Sequence, residues 1–207
     1  IDNSANENES TCTINLDIQD DDPPSVACMG NQEKNTDAGQ CYYTAGTEFD
    51  VTASSGTLTH SVSPSVTSPD PNSLSGTEFP PGTYTIIWTA TDGTDVNSCC
   101  TFELEVIDNE DPSVSSWPAD VARNVDAGSC TATISNEDIG TPVVTDNCDN
   151  SSITISRSPS GNEFDIGTTT ITWTVHDDRG NYVYETQTIT VTDNIDPEIT
   201  CPASTYY

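Results

Sequence analysis

The chain has 207 residues and a formal charge of −30, from 34 acidic side chains against four basic ones, with eight cysteines. So acidic a surface repels nucleic acid and anionic lipid, and Lys34, Arg123, Arg157 and Arg179 are too scattered for a basic patch, which excludes nucleic-acid binding. No apolar run approaches the roughly 20 residues of a membrane-spanning helix, so direct membrane insertion is not expected.

Low apolar content (32%) with high charge is a signature of disorder. Period-two runs of β-branched and aromatic residues oppose it. Taken in chain order, the first is "CTINLDIQDDDPP" (Cys12–Pro24), an alternation that ends in acids and prolines. It returns as "CTFELEVIDNEDP" (Cys100–Pro112) and as "ETQTITVTDNIDP" (Glu185–Pro197). Between them, "YTIIWTATD" puts Tyr84, Ile86, Trp88 and Ala90 on one face of a strand and Thr85 and Thr89 on the other. Phe102, Leu104 and Val106 then alternate with Thr101, Glu103 and Glu105. In the second half Thr169, Ile171, Trp173 and Val175 hold the places of the first set, and Ile189 and Val191 close the pattern. No stretch shows an amphipathic helical period.

These elements belong to a repeat. Gly76–Pro112 aligns with Gly161–Pro197 without a gap, and "NTDAGQC" (Asn35–Cys41) matches "NVDAGSC" (Asn124–Cys130). Residues 1–22 read as the end of one unit, 23–111 and 112–196 as two complete units, and 197–207 as the start of another. The chain, which begins at Ile1 inside a repeat, is expected to be a piece of a longer one. Each complete unit is predicted to be all-β, an immunoglobulin-like antiparallel β-sandwich in a tandem array, with Trp88 or Trp173 in its core.

Every junction concentrates oxygen donors: Asp20, Asp21 and Asp22; Asp108, Asn109, Glu110 and Asp111; Asp193, Asn194 and Asp196. Calcium takes six to eight oxygens at flexible geometry, so it is the expected cation. Strand parity in a seven-stranded unit places Asp92 opposite the first cluster and Asp177 with Asp178 opposite the second. The same parity puts "TDNCDN" (Thr145–Asn150) at the exit end, near 193–196. Aspartate and asparagine also form turns without metal, and no helix-flanked calcium loop is present. His60 and His176 lack a second histidine at zinc-ligand spacing. No nucleophile elbow or glycine-rich phosphate loop occurs, so an enzyme is not expected.

The order "DAGSC", "TDNC" (Thr145–Cys148), "SGNEFDIGT" (Ser160–Thr168), "WTVHD" (Trp173–Asp177) and "DNIDP" (Asp193–Pro197) resembles the hyalin repeat, an extracellular immunoglobulin-like module. The tryptophan form with a threonine- and aspartate-rich surface is similar to repeats of large bacterial surface adhesins. The resemblance implies four cysteine positions per unit, the first paired with the fourth and the second with the third. Ser116 and Glu185 replace the first and fourth in the second unit, which leaves Cys130–Cys148. In the first unit it implies Cys28–Cys100. There "TASSG" (Thr52–Gly56) replaces the third position and Cys99 is extra, so Cys41–Cys99 remains. That last pair conflicts with strand parity, which sets the two at opposite ends of a strand about 20 Å long. Either the strand count is off by one, or Cys41 is free or bonds elsewhere.

Eight cysteines suit an oxidising extracellular or cell-surface setting. The expected function is a structural or adhesive stalk, stapled by disulfides, whose partners are neighbouring repeats of the same chain. Alternatives are a module that binds surface glycans or cell-surface proteins, for which Tyr42, Tyr43, Tyr182, Tyr184 and Trp117 are the side chains of interest, and a self-assembling fibre subunit.

Overall fold

Two apolar cores, one before and one after residues 107–112, organise the molecule. The computed structural model describes residues 12–16, 23–93, 95–148 and 152–200, with the backbone alone for 95–99. Asp20, Asp21, Asp22, Cys201 and the side chain of Cys99 lie outside the described residues.

The first unit contains β1 (Gln32–Asn35), β2 (Tyr43–Thr44), β3 (Thr57–Ser63), β4 (Glu78–Phe79), β5 (Gly82–Asp92) and β6 (Asp95–Ile107). The second contains β7 (Ser113–Ser116), β8 (Val121–Asn124), β9 (Thr131–Thr133), α1 (Asn136–Ile139), β10 (Val143–Thr145), β11 (Thr154–Ser158), β12 (Glu163–Asp165), β13 (Gly167–His176) and β14 (Tyr182–Thr192). Each unit has one four-stranded sheet, β1-β6-β5-β3 or β11-β13-β14-β8, faced by short pairs that complete a sandwich: β2-β4 in the first, β10-β7 and β12-β9 in the second. Among the described residues the chain is all-β apart from α1, a single turn.

Period-two alternation decides which faces meet. Ile86, Trp88, Ala90, Phe102, Leu104 and Val106 are buried between the layers of the first unit, against Phe49, Leu74 and Phe79. Ile171, Trp173, Val175, Ile189 and Val191 are buried in the second, where Ile134, Ile139 and Phe164 pack on the same core as Trp173. Each large apolar side chain so buried contributes about 1.5–3 kcal/mol. Thr169 shares the register of this face but is only half-buried.

The helical turn escapes sequence periodicity because four residues cannot show a period. Its local signal is the cap: Ser135 Oγ accepts from the Asp138 N–H at 3.1 Å, and Ile139 anchors the turn in the core.

Strand number differs from the expected seven. β8 runs parallel to β14, and β1 runs parallel to β6. In the second unit β7 and β8 form one forward pass that changes sheets around Trp117 and Pro118. β9 and β10 likewise form one return pass, interrupted by α1, and β11 and β12 a second forward pass. β13 returns and β14 goes forward. The unit is therefore crossed five times, three of them by divided strands.

Candidate metal centre at the junction between units

Because the return pass β9–β10 ends against β7, with Thr145 paired to Ser113, the loop that follows lies at the entry of the second unit. The expectation that Thr145–Asn150 lies at the exit end is thus corrected for its described residues, Thr145–Cys148: one crossing fewer precedes the loop, which reverses its end of the sandwich. This brings "TDNC" to the joint with the first unit.

Asp108 directly follows β6 and is 3% exposed. Its Oδ1 accepts from the Glu110 N–H at 3.2 Å, a turn that leads the chain towards Pro112. The same oxygen accepts from Asn147 Nδ2 at 3.3 Å, and the Asp108 carbonyl accepts from Asn181 Nδ2 at 3.1 Å. Asp108 Oδ2 is buried with no hydrogen-bond partner.

Asp146 and Asn147 come from the loop after β10. Asp146 Oδ1 accepts from the Cys148 N–H at 3.0 Å. Asn147 Nδ2 also donates to the Gln40 carbonyl of the first unit at 2.9 Å, while its Oδ1 is buried without a hydrogen-bond partner. Asp177 occupies the turn between β13 and β14. Its Oδ1 accepts from the N–H groups of Arg179 (2.8 Å), Gly180 (2.6 Å) and Asn181 (2.8 Å), and its Oδ2 accepts from Asn181 Nδ2 at 2.6 Å.

Asp108, Asp146 and Asp177 each bring a carboxylate oxygen within 4.8 Å of the others. Two like charges about 4 Å apart repel by about 4 kcal/mol at an effective dielectric of 20, and three such pairs converge here. Hydrogen bonds compensate Asp177, whereas Asp108 Oδ2 and Asn147 Oδ1 have no such compensation. A donor set made only of carboxylate and amide oxygens suits a hard divalent cation such as calcium, magnesium or manganese rather than a softer transition metal.

The other junction residues take different roles. Both carboxylate oxygens of Glu110 accept from the Gly39 N–H at 2.9 Å, and Asp111 Oδ1 accepts from the Tyr182 N–H at 3.1 Å. These bonds tie the linker to the first unit and to the second. Asn109 is exposed. Asp178 is exposed and pairs with Arg179 at 3.5 Å rather than joining the cluster. Asp92 is half-buried at the entry of the first unit, where Thr52–Gly56 stands in place of a "TDNC" loop. Asp193, Asn194 and Asp196 are exposed at the far end.

A disulfide joins Cys41 to Cys148, with 4.5 Å between α-carbons and 107 residues of chain between them. It crosses the joint beside the carboxylates. Cys130–Cys148 and Cys41–Cys99 are both replaced by this bond. The "DAGxC" cysteine opens the return pass at the exit of its own unit, and the "DNC" cysteine closes that pass at the entry, so the two meet only across a joint. The thiols of Cys28 and Cys100 are hydrogen-bonded to each other and are not joined in the expected disulfide. This hydrogen bond, with burial and the charge of Cys100 behind it, pushes the Cys28 thiol above its ordinary pKa against an opposing bond from the Thr101 main chain.

Of the aromatic side chains of interest, Tyr182 and Tyr184 are exposed on β14, and Trp117 packs against the second core. Tyr43 donates to Glu48, and Tyr42 lines a shallow surface hollow with Pro69 and Pro80.

Residues 107–192 match the HYR domain family model. A curated relative named hyalin, from Strongylocentrotus purpuratus, is 30% identical over 214 residues, which cover 97% of this chain and 16% of that protein. The chain thus spans about a sixth of its relative's length. Among solved structures, Drosophila N-cadherin EC1-4 superposes with a TM-score of 0.36 at 14% identity, covering 83% of this chain and 50% of that one. The human desmocollin-1 ectodomain gives 0.34 at 14% identity, covering 86% and 43%. Scores at this level leave the fold to be read from the strand order itself. Residues 107–192 are thus similar to the HYR domain family, and the chain is similar to a stretch of hyalin over nearly all of its own length.

Proposed function

We propose that this chain is a segment of an extracellular structural or adhesive array, and that a divalent cation, calcium by ligand type, stiffens the joint between its two units. The observation that carries this reading is Asp108 Oδ2, buried and without a hydrogen-bond partner, in a cluster drawn from both units. Asp108 belongs to the end of the first unit; Asp146, Asn147 and Asp177 come from two loops of the second. A cation bound there has ligands on both sides of the joint, so bending the joint would cost part of its binding energy. Calcium is favoured over magnesium because protein oxygens drawn from three separate segments give an adaptable cage, whereas magnesium demands near-octahedral geometry and keeps most of its waters.

The unit boundaries near residues 23, 112 and 197 belong to this reading, with Asp108–Pro112 as the working joint. So does a Cys28–Cys100 disulfide, which the meeting of the two sulfurs supports. Kinship with bacterial surface adhesins rests on the surface composition and motif order alone.

Equilibrium dialysis with radioactive calcium tests the site. The 207-residue chain should bind one more calcium than Asp108→Asn or Asp177→Asn, with the bound ion displaced by chelator. Equal binding by all three chains would remove the site.

A further inference from the structure

The second unit ends in the same local geometry as the first. At the first exit, the Asp37 N–H donates to the Tyr42 carbonyl at 2.8 Å and the Thr44 N–H donates to Asp37 Oδ2 at 2.9 Å. At the second, the Asp126 N–H donates to the Thr131 carbonyl at 2.8 Å and the Thr133 N–H donates to Asp126 Oδ2 at 2.9 Å. The Thr36 N–H donates to the Ile107 carbonyl, and the matching Val125 N–H donates to that of Thr192. Asp108 Oδ1 accepts from the Glu110 N–H, and Asp193 Oδ1 accepts from the Ile195 N–H at 3.0 Å. The linker "DNEDP" is matched by "DNIDP".

Within this repeated frame two side chains differ in state. Cys41 is bonded to Cys148 of the unit that follows it. Cys130, at the same place in "DAGSC", is exposed and unbonded. Asp108 is buried under the next unit's loops, and Asp193 is exposed. Nothing in the fold of the second unit accounts for Cys130 as a packing residue.

We infer that Cys130 and Asp193 form one half of a second joint, which receives the "TDNC" loop of a further unit of this type joined after Pro197, with Cys130 bonded to that loop's cysteine. The Cys41–Cys148 bond is then one instance of a rule in which the exit cysteine of each unit is stapled to the entry cysteine of the next. The first unit lacks the entry cysteine, since Thr52–Gly56 stands there, so the rule gives it no staple of this kind from the preceding side. Forming each bond removes two electrons and two protons from a pair of thiols. An oxidant of the disulfide class, such as glutathione disulfide, takes them up and leaves as two thiols.

Duplication of the second unit provides the test. A copy of residues 112–196 carrying Cys130→Ser is inserted after Asp196, which preserves the natural linker. Both chains are refolded in a glutathione redox buffer, alkylated and mapped by peptide mass spectrometry without reduction. In the 207-residue chain Cys41 is expected to be joined to Cys148 while Cys130 is alkylated. In the extended chain alkylation of Cys130 is lost and its peptide is joined to a Cys148 peptide. Cys148→Ser in the inserted copy alone restores alkylation. Persistent alkylation of Cys130 in the extended chain, with Cys41 bonded to Cys148, would overturn the inference. So would a Cys130–Cys148 bond in the 207-residue chain, which would overturn the observed staple with it.

Discussion

Gln187 and Phe102 occupy matching places in the two units, and the exchange is explained by what surrounds each. Phe102 packs beside Phe49 in an apolar core, where the Trp88 indole N–H reaches the Phe49 carbonyl at 3.0 Å. In the second unit no such carbonyl is used. Gln187, 1% exposed, accepts from the Trp173 indole at 3.0 Å and donates to the carbonyls of Ala119 (2.6 Å) and Ile139 (2.8 Å). A single amide thus satisfies the tryptophan and ties both α1 and the sheet-switching segment to the large sheet. Gln187→Leu keeps the volume but leaves the Trp173 N–H and the Ile139 carbonyl buried without this partner, and the part-buried Ala119 carbonyl unpaired as well. It is expected to cost about 2–4 kcal/mol, since each such group costs about 1–3 kcal/mol and some regain water. Urea denaturation measures this, and a loss below about 0.5 kcal/mol, the level of an ordinary surface change, would contradict it.

At the scale of elements, the long strands β5, β6, β13 and β14 were legible because each runs for ten residues or more and buries alternate side chains. The divided passes were not. β2 and β4 have two residues each, and β9 and β10 three, too short for alternation to show. Counting one strand per run of sequence therefore gave seven crossings, and the parity error carried Asp146 and Asn147 to the wrong end. Asp108 and Asp177 escaped it because they flank long strands, one just after β6 and one just after β13. A usable signal was present in Ser135 and Asp138, whose capping pattern marks an interruption inside one pass rather than a turn between two. The loop that replaces "TDNC" in the first unit has its own constraint. Gly56 has φ +78°, and a β-carbon there would stand 2.4 Å from the Thr91 carbonyl oxygen. Gly56→Ala should destabilise the first unit by about 1–3 kcal/mol through strain and displacement of β5. Calorimetry would then show a lowered transition for the first unit and an unchanged one for the second, and two unchanged transitions would refute the close approach.

For the whole molecule the central problem is charge. A formal −30, part of it gathered at the joint, opposes the compact state, and on the proposed reading the joint answers with a disulfide and a cation site placed side by side. The disulfide spans 107 residues, a loop length worth about 4.7 kcal/mol in the chain-entropy model. It holds the segments of Gln40 and Asn147 together, where the two residues are at hydrogen-bonding distance. In Cys41→Ser the cation must order the joint unaided, so calcium affinity is expected to fall about tenfold, a coupling of about 1.4 kcal/mol. Titration calorimetry of the oxidised wild type against this variant reads it, and equal affinities would mean that staple and cation act independently.

The most direct measurement is a set of thermal melts of the 207-residue chain at fixed ionic strength, with calcium, with magnesium and with chelator. At a hundredfold excess over its dissociation constant a ligand adds about 2.7 kcal/mol, which for a chain of this size raises Tm by about 5–10 °C. The account predicts such a rise with calcium, a smaller one with magnesium, and neither in Asp108→Asn or Asp177→Asn. Superimposable melts in the three buffers would contradict it and leave the disulfide and the direct contacts as the only devices that hold the joint.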